Sequence, residues 1–211
     1  RQPMAEAEAL QKGLLTYLGE EMDAAYYADL LSLISAPEAI AQYAPSFRAV
    51  YTPLFGTGRA PITHMLSSLG IHYSIVEEQA QPDGHFPGLS APNPENPEAF
   101  RLAIARANAE GANLILATDP DCDRVGVACL TASGDVRLLT GNQIGCILLH
   151  YILSQKKALG KLPKNAAAVK SIVSTEMARA ICLKYDTELF DVLTGFKFIA
   201  EKIQQFEETG S

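Results

Sequence analysis

The sequence predicts an α/β fold, built as two three-layer units whose sheets are mixed and largely parallel. Three observations carry this expectation. Short β-prone runs alternate with helical runs from about residue 47 onward, which implies strands joined by crossover helices. One such run, Asn113–Thr118, is apolar throughout, as befits a strand covered on both faces. Near Thr140 the alternation restarts after two successive strands, so a second unit is expected to follow the first. The expected division is 1–139 and 140–211.

Taken in order, residues 4–34 read as two helices. Ala, Leu, Glu, Gln and Met dominate, with Leu10, Leu14, Leu15 and Leu18 at helical spacing and Gly19 as a break. Pro37 and Pro45 bracket a short helix. Phe47–Tyr51 is β-prone, Pro61–Leu69 is helical and is closed by Gly70, and Ile71–Val76 alternates as a strand does. Five prolines make 81–97 an ordered loop. Pro97–Glu110 is a helix stopped by Gly111. Val125–Leu130 and Val136–Leu139 flank Thr-Ala-Ser-Gly-Asp, a hairpin pattern. In the second unit Asn142–Gln155, Thr175–Tyr185 and Phe196–Glu208 are helical, and Ala167–Val173 and Glu188–Leu193 are strands. Ser174-Thr175 reads as an N-cap for the middle helix.

Composition narrows the function classes. The 211 residues carry 17 Lys+Arg against 24 Asp+Glu, a net charge of −7, with 48% hydrophobic and 19% charged residues. That is a globular balance. It lacks the basic face that a nucleic-acid backbone binder needs. No apolar run approaches the roughly 18 residues of a membrane helix. The four cysteines, Cys122, Cys129, Cys146 and Cys182, form no C-x-x-C pair. They read as reduced thiols of a cytoplasmic protein rather than as a zinc site. There is no signal-peptide pattern and no initiator Met, and both ends are expected to be cut from something longer.

The strongest chemical signal is Asp119-Pro120-Asp121-Cys122-Asp123-Arg124, directly after the doubly covered strand. Three carboxylates at i, i+2 and i+4 share one side if the loop is extended. Packed that closely they repel unless a cation sits among them. Oxygen-only ligation suits Mg²⁺, Mn²⁺ or Ca²⁺. An EF-hand needs Gly at loop position six and Glu at twelve, where this chain has Arg124 and Leu130. Arg124 offers a fork of donors suited to an oxyanion. Among aspartates, Cys122 is a poor nucleophile unless a metal offsets their charge.

Two weaker signals accompany it. Thr194-Gly195-Phe196-Lys197 lies between a strand and a helix. It could receive a phosphate or sugar oxygen on backbone N–H groups with Lys197 adding charge, or be a plain glycine turn. Thr52-Pro53-Leu54-Phe55-Gly56-Thr57-Gly58 precedes a helix but lacks the full dinucleotide fingerprint, so a tight structural turn is expected. No Ser/His/Asp or Cys/His set can be assembled from spacing, and His85 has no partner visible in the sequence.

In these stretches, together with Pro82-Asp-Gly-His-Phe-Pro87 and Pro92-Asn-Pro-Glu95, the chain resembles the α-D-phosphohexomutase superfamily, the phosphoglucomutase/phosphomannomutase enzymes. Pro120 and Cys122 replace the glycine or alanine often found there, and look like the branch holding phosphopentomutases and bacterial phosphoglucomutases. The resemblance implies a four-domain isomerase, an intramolecular phosphotransferase. It interconverts hexose 1-phosphate and 6-phosphate through a phosphoserine and a bisphosphorylated sugar. Phosphoglucomutase is the first expectation and phosphomannomutase or phosphopentomutase the alternatives, with glucose 1,6-bisphosphate as activator of the full-length enzyme. Residues 1–139 look like domain two and 140–211 like most of domain three. Carried over, Asp119, Asp121 and Asp123 bind Mg²⁺, Arg124 meets a phosphate, and Thr194, Gly195 and Lys197 face the phosphosugar. The phosphoserine, the rest of the sugar loop and domains one and four lie outside these residues. No catalytic acid or base is assigned here, and the piece alone is expected to be inactive, with an exposed sheet edge favouring dimerisation. A second class of reading is a stand-alone metal or phosphosugar binding module, and a third a purely structural domain with solvated aspartates.

Overall fold

The computed structural model describes residues 3–131 and 133–210. The chain divides into two compact units, Arg1–Ile34 and Ser35–Ser211. In the first, α1 (Glu6–Gln11) and α2 (Glu20–Ser32) occupy the expected helical stretch, with Gly19 as the N-cap of α2, and neither helix has a buried residue.

The second unit contains both sheets. After α3 (Pro37–Tyr43) and a short 3₁₀ turn over Ala44–Ser46, the chain enters β1 (Arg48–Thr52). There follow α4 (Arg59–Ser68), β2 (His72–Ile75), α5 (Arg101–Glu110), β3 (Leu114–Thr118), β4 (Val125–Leu130) and β5 (Val136–Leu139). These strands form one sheet in the order β2-β1-β3-β4-β5. β1 pairs in parallel with β2 and β3, whereas β3–β4 and β4–β5 are antiparallel. The crossovers from β1 to β2 and from β2 back past β1 to β3 run in opposite directions along the sheet, and the right-handed rule for such connections assigns α4 and α5 to opposite faces. Ala49–Thr52 of β1 are accordingly buried throughout. The core gathers Val50, Ile115, Ala117 and Ala128 of the sheet against Phe100, Ala103 and Ala107.

Local chemistry explains several boundaries. Pro97 opens a 3₁₀ turn, Pro97–Phe100, that runs into α5, and Gly111 ends α5 in the left-handed conformation. The β4–β5 hairpin closes through Thr131 and Asp135; Ala132 of the expected hairpin sequence lies outside the described residues.

From Thr140 the chain builds α6 (Gly141–Ala158), β6 (Ala167–Ser171), α7 (Met177–Lys184), β7 (Glu188–Val192) and α8 (Phe196–Thr209). Thr140 and Gln143 form a reciprocal capping box at the start of α6. β6 and β7 pair in parallel as a two-stranded sheet. Their apolar cluster is small: Leu153, Cys182 and Tyr185 are its buried members. The expected cap of α7 needs one correction. Glu176 holds the N-cap position, and Thr175, one residue further out, accepts the amide of Met177 on its hydroxyl at 3.2 Å. The protein is thus α/β, but of the two sheets expected to be mixed only the five-stranded one is, since the second holds a single parallel pair; three of the five strand pairings among the described residues are parallel.

Candidate functional site

β1 and β3 are adjacent parallel strands, with Thr52 level with Ala117. Their C-terminal ends therefore emit two loops side by side, where the strand order reverses direction and where open α/β sheets admit ligands. One is the turn 52–58; the other is the acidic loop 119–124.

The acidic loop is not extended, the condition under which its alternating carboxylates would share one side. The amide of Cys122 bonds back to the Asp119 carbonyl at 3.0 Å, and Cys122 takes a left-handed φ of 61°. The Arg124 amide closes the turn on Asp119 Oδ1 at 2.9 Å, and Arg124 Nε donates to Asp119 Oδ2 at 2.7 Å. The tight turn achieves what alternation was expected to achieve. Asp119, Asp121 and Asp123 each offer a carboxylate oxygen, and these oxygens lie within 4.8 Å of one another. Asp119 is fully buried while Asp121 and Asp123 are exposed.

The electrostatics follow from this placement. Burial works against ionisation of Asp119, but the amide and guanidinium of Arg124 outweigh it and hold its carboxyl below the usual range. Asp123 is pushed up, first by the hydrogen bond it shares with Asp119, then by desolvation and the charge of Asp121. Arg124 also lies 3.6 Å from Asp123. Each oxygen of Asp119 accepts one bond from Arg124. The set of three hard oxygen donors fits a divalent cation such as Mg²⁺.

The neighbouring turn fits the acidic loop closely. Thr57 donates its amide at 2.8 Å and its hydroxyl at 3.1 Å to the carbonyl of Pro120. A Cβ on Gly56 would lie 2.3 Å from Pro120 Cα, and one on Gly58 would lie 2.5–2.8 Å from Tyr51 Oη, Thr118 Oγ1 and Cys122 Sγ. The Gly-x-Gly read as a tight structural turn is one, and its glycines are also the floor on which the acidic loop rests. Beneath it the buried Tyr51 hydroxyl bonds Thr118 Oγ1 at 2.8 Å. Burial is the main cause that pushes the Tyr51 phenol up to about 12. Leu54 and Phe55 are both left-handed, φ 45° and 65°, an uncommon backbone for bulky residues. Buried Gln79 secures them: its carbonyl accepts the Phe55 amide at 2.9 Å and its side-chain oxygen accepts the Thr52 hydroxyl at 2.7 Å. No sequence signal pointed to Gln79.

A further stretch is anchored the same way. Gly126 of β4 admits Pro94, whose carbonyl oxygen would lie 2.3 Å from a Cβ there. A cleft of about 500 Å³ runs from Glu95 past Thr140 and Asn142 to Val173 and Ser174.

Thr194, Gly195 and Lys197 lie elsewhere, after β7. Gly195 takes φ 132°, ψ 137° at the N-cap of α8, a conformation reserved for glycine. All three residues are exposed, Lys197 Nζ rests 4.7 Å from the Phe198 ring centre, and Phe196 is 82% exposed. The structure brings Asp119, Asp121, Asp123 and Arg124 together. Among the described residues, no hydrogen bond or ion pair joins them to Thr194, Gly195 or Lys197.

Comparison with known proteins agrees with this architecture. Residues 24–132 match the phosphoglucomutase/phosphomannomutase alpha/beta/alpha domain II, and residues 140–209 match domain III. A phosphoglucomutase of Staphylococcus aureus strain USA300 is 38% identical over 162 residues, 76% of this chain and 29% of that protein. The enzyme of strain N315 is 36% identical over the same shares. The chain thus spans under a third of the length of these relatives. A phosphoglucomutase/phosphomannomutase family protein of Burkholderia thailandensis shares the fold at TM-score 0.62 and 19% identity, over 92% of this chain and 43% of that one. The N-acetylphosphoglucosamine mutase of Aspergillus fumigatus, solved with GlcNAc-6P and magnesium, does so at 0.54 and 13%, over 81% and 36%. No described helix is long and apolar enough to cross a membrane. With two successive domains of one family matched in order along 24–209, the chain belongs to the phosphoglucomutase/phosphomannomutase family.

Proposed function

We propose that this chain is the metal-loop domain and most of the sugar-binding domain of a cytoplasmic phosphosugar mutase, with the boundary near Leu139. The full enzyme moves a phosphoryl group between the 1- and 6-positions of a hexose, glucose first. The carrier phosphoserine and domains one and four come from outside these residues. The observation that carries the reading is the convergence of three carboxylates, one buried, on a turn at the C-terminal ends of β1 and β3.

Asp119, Asp121 and Asp123 would hold Mg²⁺, which supplies charge neutralisation for a phosphoryl group in flight. Arg124 has two roles. Its Nε and amide fix Asp119, and the rest of a half-exposed guanidinium is available to orient a phosphate. At the other sheet, Gly195 lets a phosphosugar approach the backbone beside Thr194, and Lys197 adds a point charge. Glucose 1,6-bisphosphate is the species this pair of sites would receive in the full enzyme.

Mn²⁺ titration followed by electron paramagnetic resonance tests the reading. Wild type is expected to bind weakly, since the phosphoserine oxygen is not supplied, and Asp121→Asn to bind at least tenfold more weakly still. Asp121 is exposed, so its loss leaves the fold intact. Equal binding by the two proteins would refute the metal site. On the same reading the 211 residues alone turn over no hexose phosphate; turnover abolished by Asp121→Ala would overturn that.

A further inference from the structure

We infer that the turn 52–58 is the template that sets the metal loop, and that Thr57 is a positioning residue acting through the carbonyl of Pro120. The inference rests on the metal reading above and adds to it a residue that touches neither cation nor substrate.

The acidic loop is held to the rest of the molecule at few points. Its own turn is internal, from Asp119 to Cys122 and Arg124. Between them Pro120 has no amide to donate, so its carbonyl is its remaining polar anchor. That carbonyl receives two hydrogen bonds, both from Thr57, across 63 positions of sequence. Pro120 stands between Asp119 and Asp121, so moving it changes the angle between the buried and the exposed carboxylate. Gly56 and Gly58 complete the seat by letting Pro120 and Cys122 approach without a Cβ in the way.

The template is itself fixed from behind. Leu54 and Phe55 hold a left-handed pair of conformations that bulky L-residues ordinarily avoid. Buried Gln79 and the Thr52 hydroxyl, which accepts the Leu54 amide at 3.2 Å, keep that strained corner in place. Strain of this kind, secured by buried polar groups, delivers Thr57 to Pro120 at a fixed point.

The test uses the full chain with two readouts, amide exchange by NMR at Cys122 and Arg124, and Mn²⁺ affinity. Thr57→Val keeps volume and amide but loses the hydroxyl. It is expected to speed exchange at both amides, and to raise the Mn²⁺ dissociation constant, by roughly two- to tenfold, the scale of one net hydrogen bond. Thr57→Ser restores the hydroxyl and is expected to behave as wild type on both. Gly56→Ala retains every carboxylate and should weaken Mn²⁺ binding more than Thr57→Val, and Thr57→Val keeps the test decisive if Gly56→Ala does not fold. Wild-type exchange and affinity in Thr57→Val would overturn the inference. So would faster exchange with unchanged affinity, or a serine variant no better than valine. Failure of the metal reading has a different signature: Mn²⁺ binding insensitive to Asp121→Asn, which removes the positioning role with it.

Discussion

In the five-stranded sheet the loop after β3 is seated on its neighbour by close packing, whereas in the two-stranded sheet the segment after β6 is tied to β7 by charge. The first sheet has a broad core, including Val50, Leu54, Phe100 and Ile115 with no exposed surface. Its glycines bring backbones into contact, and the hydrogen bonds that seat the acidic loop on the neighbouring turn are neutral, the charged pair of Arg124 with Asp119 lying within the loop itself. The second sheet has three buried apolar residues in its cluster. There Lys170, 8% exposed, reaches Asp191 at 2.6 Å, Glu176 at 3.0 Å and the Ser174 carbonyl at 3.2 Å. Arg179 closes the network on Glu176 at 2.9 Å and on Asp191. Lys170 and Asp191 face each other across the strand pair, one residue before each strand ends. One fold thus uses shape to place a loop tightly and charge to tie down a thinner sheet.

The largest expected contrast is in the cores. Phe100→Ala empties a fully buried site in the cluster that holds Val50 and Ala128 and is expected to cost about 3–5 kcal/mol. Leu153→Ala, in the smaller cluster with Leu149 and Leu189, should fall toward the bottom of the ~2–5 kcal/mol range for such truncations. Guanidinium chloride unfolding of both variants measures it. A cost for Leu153→Ala as large as that for Phe100→Ala would mean the second sheet is better packed than its cluster implies.

The charge network gives the next contrast, and its sign can be worked out. Hydrogen bonds from Lys170, joined by Arg179, hold Asp191 and Glu176 below the ordinary carboxylate range. Groups depressed in the folded state contribute stability that is present above their unfolded values, roughly pH 4, and lost as pH falls through the folded ones. Lys170 is raised, first by Asp191 and then by Glu176, so its share persists below its unfolded value and fades only at strongly alkaline pH. Lys170→Met should therefore lower the melting temperature by a few degrees at pH 7, and this deficit should shrink at pH 3. An equal deficit at both pH values would show that the lysine acts through its packed stem rather than its charge.

Local signals made most of the elements readable. Proline at 37 and 97, glycine at 19 and 111, and the apolar run before Asp119 each act within a few residues, and each lies at an element boundary. The acidic loop was legible because repulsion among three carboxylates is a statement about neighbours in sequence. Its shape was not: alternation groups the carboxylates only if the loop is extended, and a left-handed Cys122 makes a tight turn instead. Gln79 and Thr57 were hidden for a different reason. Their partners lie 27 and 63 positions away, and only the parallel pairing of β1 with β2, for Gln79, and with β3, for Thr57, brings those positions together. The glycines at 56, 58 and 126 carry the same lesson, since what they make room for is a distant backbone or side chain.

Glycine also yields the smallest and sharpest test of the comparison. Gly56, Gly58 and Gly126 each meet atoms within 2.3–2.9 Å of an added Cβ. Gly145, inside α6, meets nothing within 4 Å and is exposed. A helix-interior glycine with no steric role only adds freedom to the unfolded chain. Gly145→Ala is therefore expected to stabilise by about 0.5–1 kcal/mol, read as a shift in the guanidinium chloride midpoint at constant slope. Gly126→Ala should destabilise, by about 1–3 kcal/mol for a methyl forced against the Pro94 carbonyl. Opposite signs for one substitution type would separate glycines kept for shape from a glycine that shape does not require. A loss at Gly145 would instead mean that α6 receives a close contact there which these residues alone do not supply, and the second sheet would then share the steric logic of the first.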